Sequence, residues 1–393
     1  MQEQLKEVDQ VKEPIRKITL KDGTVRYRLV VDVGRDENGR RQQITRTFDR
    51  RKDARDELSR IRHETSRGTY VKPSAETVNE YLDGYLKGAT RDRRATTKEN
   101  YRHAFRPVRQ RLGARELQSI TKRDIEDLID WMQTTGRRRG GKPGTPLGAR
   151  SVRLTLGRLT AALEMAVLEG KLVRNVAKLV EPPRYEKPER ETWSKAEVRT
   201  FLTVATDDRL HAAWRLSLYG MRRGEVVGLR WCDVDLNAKT LKVVQARVIA
   251  EGQVVNEEPK SRNGKRTLPM DNALVDALKG LKARQAAEKL AAGQAYQASG
   301  YVVTDELGAP VHPEWYSDEF GRLLKRAGLP RITLHDSRHT TLTLMEHAGV
   351  PVSIISKWAG HHDAAFTHRT YVHADDEDLK TGAKALARIY KIS

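Results

Sequence analysis

Short alternating runs occupy residues 15–48, with Tyr27, Leu29 and Val31 on one face and Arg26, Arg28 and Val30 on the other. A period of two marks strands, because successive side chains point to opposite faces. Lys21-Asp22-Gly23 and Asp36-Glu37-Asn38-Gly39 break the runs with turn residues, which predicts a small antiparallel sheet of about three strands. The period then lengthens to 3.6: Ala54, Leu58 and Ile61 place a charged helix near Arg51 to Ser66. Gly68 to Ser74, with Pro73, reads as a linker. Residues 76–180 read as wholly helical, with apolar spacing over Thr77 to Leu86, Thr97 to Leu112, Thr121 to Met132 and Ser151 to Glu169; Thr121 and Asp124 form a helix start signal. A second linker runs from Glu181 through Pro182-Pro183 to Glu189. Thr192-Trp193-Ser194-Lys195 opens a mixed region of helices with one strand-rich stretch, Thr240 to Leu268. The expected fold is therefore multidomain and mainly α with small β elements. Residues 1–70 form a three-stranded sheet plus helix behind a flexible leader (1–13), 74–183 a helical bundle, and 190–393 an α+β domain.

Charge changes this picture from a fold to a partner. The 393 residues carry a net charge of +20, and residues 71–190 alone hold 26 Lys and Arg against 15 Asp and Glu. A concentrated positive excess suits a polyanion, nucleic acid first among them. An anionic membrane is the rival, but no stretch approaches 18 apolar residues and no lipidation motif is present. The Arg-rich strands of the first module would suit a DNA major groove. The N-terminus lacks an apolar h-region, so a cytoplasmic protein is expected. The single cysteine, Cys232, excludes a disulfide framework and a Cys-based zinc site within the chain, and beside Trp231 it is expected to pack and not to react. The loop Gly136 to Gly144 begins like a phosphate loop, but Pro143 stands where Ser or Thr should ligate magnesium and a helix precedes it, so nucleotide binding is rejected.

Five islands carry the candidate chemistry: Gly220-Met221-Arg222-Arg223-Gly224-Glu225, Lys260, His335-Asp336-Ser337-Arg338-His339, Gly360-His361, and Tyr371. They hold a phenol, guanidiniums, an amine and imidazoles. A planar guanidinium grips two oxygens of a phosphoryl transition state at once. His335 and Arg338, at i and i+3, share a helix face. The Asn263-Gly264 pair is a hairpin turn signal just beyond Lys260. His335 and His339 stand at metal-ligand spacing and His361-His362 could add ligands, yet no carboxylate cluster joins them and zinc is rejected.

In this order and spacing the islands resemble those of the tyrosine recombinase (phage integrase) family, and the resemblance covers most of the chain. It implies that Arg222 is the first catalytic arginine, with Glu225 a buried carboxylate supporting it. Arg338 becomes the second phosphate clamp and His335 a phosphate donor or proton shuttle. Lys260 becomes the general acid for the leaving 5′-oxygen, with Lys265 the fallback, and His361 donates to a non-bridging oxygen. Tyr371 becomes the nucleophile. His339 is expected to be structural. Ser337 and Ala359 depart from the usual leucines of the family's boxes. The resemblance further implies an arm-type DNA-binding module at 1–70, a core-binding (SAM-like) bundle at 74–183, and a catalytic domain at 190–393 whose tail, Leu379 to Lys391, passes to a neighbour. The implied partners are double-stranded DNA attachment sites of core and arm types, a homotetramer on DNA, a host DNA-bending protein and an excisionase, with no cofactor and no metal. A non-catalytic DNA-binding protein on the same fold and a type IB topoisomerase remain as alternatives.

Overall fold

A computed structural model describes residues 14–35, 41–137, 141–186, 191–259 and 264–360. The chain divides into two compact units, Met1–Glu186 and Lys187–Ser393. The first holds two separate cores. In one, strands β1 (Ile15–Thr19), β2 (Val25–Arg35) and β3 (Arg41–Phe48) form an antiparallel sheet in the order β1-β2-β3. Helix α1 (Arg51–Ser66) covers it, and Leu58 and Ile61 meet Leu29 and Val31, as the two periods predict. The turn at 36–39 lies outside the described residues.

The second core is the bundle of α2 (Val78–Ala89), α3 (Ala95–Leu112), α4 (Lys122–Thr134) and α5 (Ala149–Leu168). Its starts are set locally. Thr77 with Glu80 and Thr121 with Asp124 form capping boxes, in which each side chain satisfies an amide that the first helical turn leaves unpaired. Tyr81 then donates to the Ala162 carbonyl at 3.0 Å, fixing α2 on α5. The segment 68–74 has no regular structure but is tied at both ends. Tyr70 packs on the sheet core, and Gln118 bonds the Lys72 carbonyl at 2.8 Å and the Ser74 amide at 3.1 Å.

In the second unit, helices α6 (Lys195–Val204), α7 (His211–Leu218), α8 (Arg223–Val227), α9 (Asn272–Ala292), α10 (Pro313–Ala327), α11 (Leu334–His347) and α12 (Val352–Ala359) accompany two small sheets. Strands β4 (Val234–Asp235), β5 (Thr240–Val243) and β8 (Arg266–Pro269) form one, and β6 (Ala246–Ala250) pairs with β7 (Gln253–Glu257) in the other. At the centre Trp214 stacks on the fully buried Tyr316, with ring centroids 4.5 Å apart. Burial pushes the Tyr316 phenol up, and its hydroxyl is held by Ser217 and the Ala213 carbonyl at 2.8 and 2.9 Å, so this tyrosine is structural.

The hairpin signalled by Asn263-Gly264 lies partly outside the described residues, which stop at 259 and resume at 264. A tight turn joins β6 to β7 at Glu251-Gly252, where φ values of 54° and 78° match the twist of the flanking strands. One expectation is corrected here. Cys232 is exposed and does not pack. The 3-10 turn Trp231–Asp233 leaves the thiol at the surface, while Trp231 takes the apolar contact.

Candidate active site

Arg222 immediately precedes α8, and three residues later Glu225 lies on that helix, 4 % exposed. One Glu225 oxygen accepts from the Arg222 amide at 2.9 Å and the other from its Nη1 at 2.8 Å. The carboxylate therefore fixes both the backbone and the guanidinium of Arg222, whose side chain keeps 40 % of its surface open. Gly220 enables the approach: its φ of +83° is a conformation that L side chains rarely adopt.

Sequence reasoning missed the residue that completes this arrangement. Arg266, first in β8 and 5 % exposed, forks onto both oxygens of Glu225 at 3.1 and 2.8 Å. Its Nε donates to the Trp358 carbonyl at 2.7 Å and its Nη1 to the Gly264 carbonyl at 3.2 Å. The available signal was an arginine starting a short strand on the same side as the inward-facing Leu268. Burial alone would raise the Glu225 carboxyl. The hydrogen bond and charge of Arg266, with the charges of Arg222 and Arg338, more than reverse this and hold it at about 2. Its native value thus lies below that of an unfolded glutamate, so the ionised group stabilises the unit above pH 4.5 or so, by about 3 kcal/mol, and this is lost as pH falls toward 2. The stability gap between the wild type and Glu225→Gln should accordingly shrink as urea unfolding is moved from pH 6 to pH 3. A gap independent of pH would contradict the assignment.

The third island arrives on α11. Thr333 and Asp336 form its capping box, and His335 and Arg338 follow in the first turns as their spacing required. Arg338 is 2 % exposed and donates to the carbonyls of Gly220 and Ala359. The second arginine is thus bonded to backbone on either side: two residues before Arg222, and two residues before His361. His335 is exposed and meets the buried His339 with an Nε2–Nε2 distance of 3.2 Å, the rings edge-on. Ser337, at the usual leucine position, is fully buried with its hydroxyl donating to the Leu334 carbonyl at 2.9 Å, so its polarity is satisfied within the helix. Gly360 ends α12 in the left-handed conformation, and Trp358 donates to the Tyr219 carbonyl at 2.8 Å.

Arg222, Glu225 and Arg338 are therefore assembled, with His335 on the helix that carries Arg338. Lys260, His361 and Tyr371 lie outside the described residues, as do His362 and the Leu379-to-Lys391 tail. The fallback Lys265 pairs with Glu258 at 2.8 Å. Among the described residues no group of three or more His, Cys, Asp or Glu could hold a metal ion, and no helix is long and apolar enough to cross a membrane. The arrangement offers an open guanidinium, aimed by a buried carboxylate and backed by two buried guanidiniums, a site built for an anion.

Comparison with known proteins bears on the family and the fold. The model of the phage integrase family matches residues 194–378. The tyrosine recombinase XerC-like protein of Caldanaerobacter subterraneus subsp. tengcongensis is 28% identical over 94% of this chain and 98% of its own length. An integrase of Streptomyces ambofaciens is 26% identical over 93% of this chain and 94% of its own. Among solved structures, the Tn1549 transposon integrase in complex with transposon right end DNA superposes with a TM-score of 0.65 at 21% identity, covering 79% of this chain and 100% of that one. A lambda integrase tetramer bound to a Holliday junction gives 0.56 at 18%, covering 93% and 98%. At such identities the two structures speak for the fold. The matched span holds every island from Arg222 to Tyr371, and residues 194–378 form a domain of the phage integrase family.

Proposed function

We infer that the protein is a site-specific tyrosine recombinase that integrates or excises a mobile element by cutting and rejoining DNA. The observation that carries this reading is the convergence of Arg222 and Glu225 from one island with Arg338 from another into one cationic site with one open guanidinium. Tyr371 is the nucleophile. Its oxygen bonds to phosphorus as the bond to the 5′-oxygen breaks, giving a 3′-phosphotyrosine; Lys260 protonates the departing oxygen. Arg222 and Arg338, with His335 and His361, hold the non-bridging oxygens. The energy of the broken ester is kept in the new one, so a 5′-hydroxyl from a partner duplex reverses the step without metal or nucleotide. Four copies on two duplexes would exchange the strands pairwise.

In this reading residues 1–70 hold a distant arm-type site while 74–183 and 190–393 clamp the core site, and a host bending protein and an excisionase set the geometry and direction. The sheet of the first module supports the division of labour. Arg16 lies directly opposite Arg28 in the β1–β2 pairing, and both are exposed. Like charges across a strand pair are destabilising, so the fold gains nothing from them, whereas a phosphate backbone does. Replacing both by alanine should lower the slope of log affinity against log salt for arm-site duplex by about 2, one per lost contact. An unchanged slope in fluorescence titrations would remove the sheet from the DNA interface.

The direct test is a covalent trap. The protein is incubated with nicked duplexes from its own attachment region in the presence of chelator, then denatured with SDS. A resistant protein–DNA adduct that disappears in Tyr371→Phe, with duplex binding retained, is expected. Tight salt-sensitive binding without an adduct would identify a non-catalytic binding protein; adducts that relax supercoils but never join two duplexes would identify a topoisomerase.

A further inference from the structure

We propose that Arg266 is a positioning residue for the reaction: it sets the aim of Arg222 through their shared carboxylate and locks that aim to the end of the helix preceding His361. The proposal rests on the recombinase reading above. Arg222 does not hold its own orientation. Its guanidinium is steered by Glu225, and Glu225 is steered by Arg266, which takes both carboxylate oxygens in a fork. The same guanidinium then spends its Nε on the carbonyl of Trp358 in α12 and shares Nη1 with the carbonyl of Gly264. One buried planar group thereby joins three stretches of chain separated by 41 and 92 residues.

A fold-stabilising ion pair would not need this geometry. A buried pair can be exchanged for apolar side chains with little loss of stability, so its retention calls for another reason. The fork supplies one. Two parallel bonds fix the plane of the Glu225 carboxylate, and that plane decides which direction is left for Arg222. A lysine would keep the charge but not the plane, because an ammonium is a point donor. Since Arg338 bonds the next carbonyl along, that of Ala359, the two buried arginines together hold the last turn of α12 against the Gly220–Glu225 segment. The Arg266 side chain is only 5 % exposed, and its donors are directed to Glu225, Trp358 and Gly264.

The test separates aiming from stability by changing the substrate. Arg222 is needed because the phosphate carries a negative charge. A scissile methylphosphonate, in which a methyl group replaces one non-bridging oxygen, is neutral and has little use for an aimed guanidinium. Wild type, Arg266→Lys and, as reference, Arg222→Ala are given nicked duplexes of the crossover sequence mapped by the covalent trap, with a phosphodiester or a methylphosphonate at the cleavage position. Adduct formation by Arg266→Lys should fall on the order of 100-fold on the phosphodiester, as a small misplacement of a reacting group does. On the methylphosphonate the loss should shrink below about fivefold, following Arg222→Ala, because the charge to be stabilised is gone. Equal losses on both substrates would overturn the proposal and leave Arg266 a structural residue. Should Arg266→Lys fail to fold, Arg266→Gln, which leaves Glu225 paired with Arg222, is measured in its place; the same selective loss supports the proposal and a uniform one rejects it. An absence of adduct with the wild-type protein would instead be a failure of the recombinase reading.

Discussion

Arg222→Ala should slow strand cleavage by about 1,000-fold, near 4 kcal/mol of barrier, while leaving the second unit folded. The separation of the two effects follows from the geometry. The Arg222 side chain is 40 % exposed, so its loss uncovers little apolar surface, and Glu225 keeps its fork from Arg266. What disappears is the open guanidinium at the site, and transferring phosphoryl groups depend on such groups for charge stabilisation more than on any covalent help. Arg222→Lys should recover only part of the rate, because an ammonium cannot take two oxygens in one plane. Single-turnover cleavage of a nicked duplex measures the loss, and thermal unfolding checks the fold. A variant that cleaves within tenfold of wild type would remove Arg222 from the clamp.

Glu225→Ala should act the other way, on stability first. It leaves Arg266, 5 % exposed, with its principal counter-charge gone, and stranding one partner of a buried pair costs about 3–5 kcal/mol. Arg338, whose charge also bears on Glu225, would then face Arg266 and Arg222 without a carboxylate between them. Five of the six tryptophans, Trp193, Trp214, Trp231, Trp315 and Trp358, lie in the second unit, so tryptophan fluorescence in urea follows that unit with little contribution from the first. A midpoint shift worth less than 1 kcal/mol or so would show that the pair is open to water in solution, where ion pairs contribute that little.

The contrast between these two residues shows where the sequence was legible. Helices α2 to α5 could be placed from apolar spacing, and the caps at Thr77 and Thr121 act within three residues, a range that a linear reading captures. The family resemblance named Arg222, Glu225, His335 and Arg338 from two short islands, and each lies within three residues of an island partner, at the start of α8 or on α11. Arg266 escaped a linear reading, because its partners lie at 225, 264 and 358 and only folding brings them together. The turn at Glu251-Gly252 was not legible, because the pairing of β6 with β7 sets it and a glutamate at φ 54° gives no local turn signal. Cys232 was misread because an apolar neighbourhood in sequence does not say which way a 3-10 turn points a side chain. Lys260, His361 and Tyr371, named by the same resemblance, lie outside the described residues and rest on solution chemistry for their test.

Tyr371 is proposed to carry the broken strand, and mass mapping of the trapped adduct checks this at the level of a single residue. The SDS-resistant complex is digested with trypsin and nuclease, and the peptide bearing residual nucleotide is sequenced by fragmentation. The expected product is the peptide Thr370 to Lys380 with a nucleotide joined to Tyr371 through a phosphate ester. Nucleotide on any other residue, or an adduct of unchanged yield from Tyr371→Phe, would contradict it.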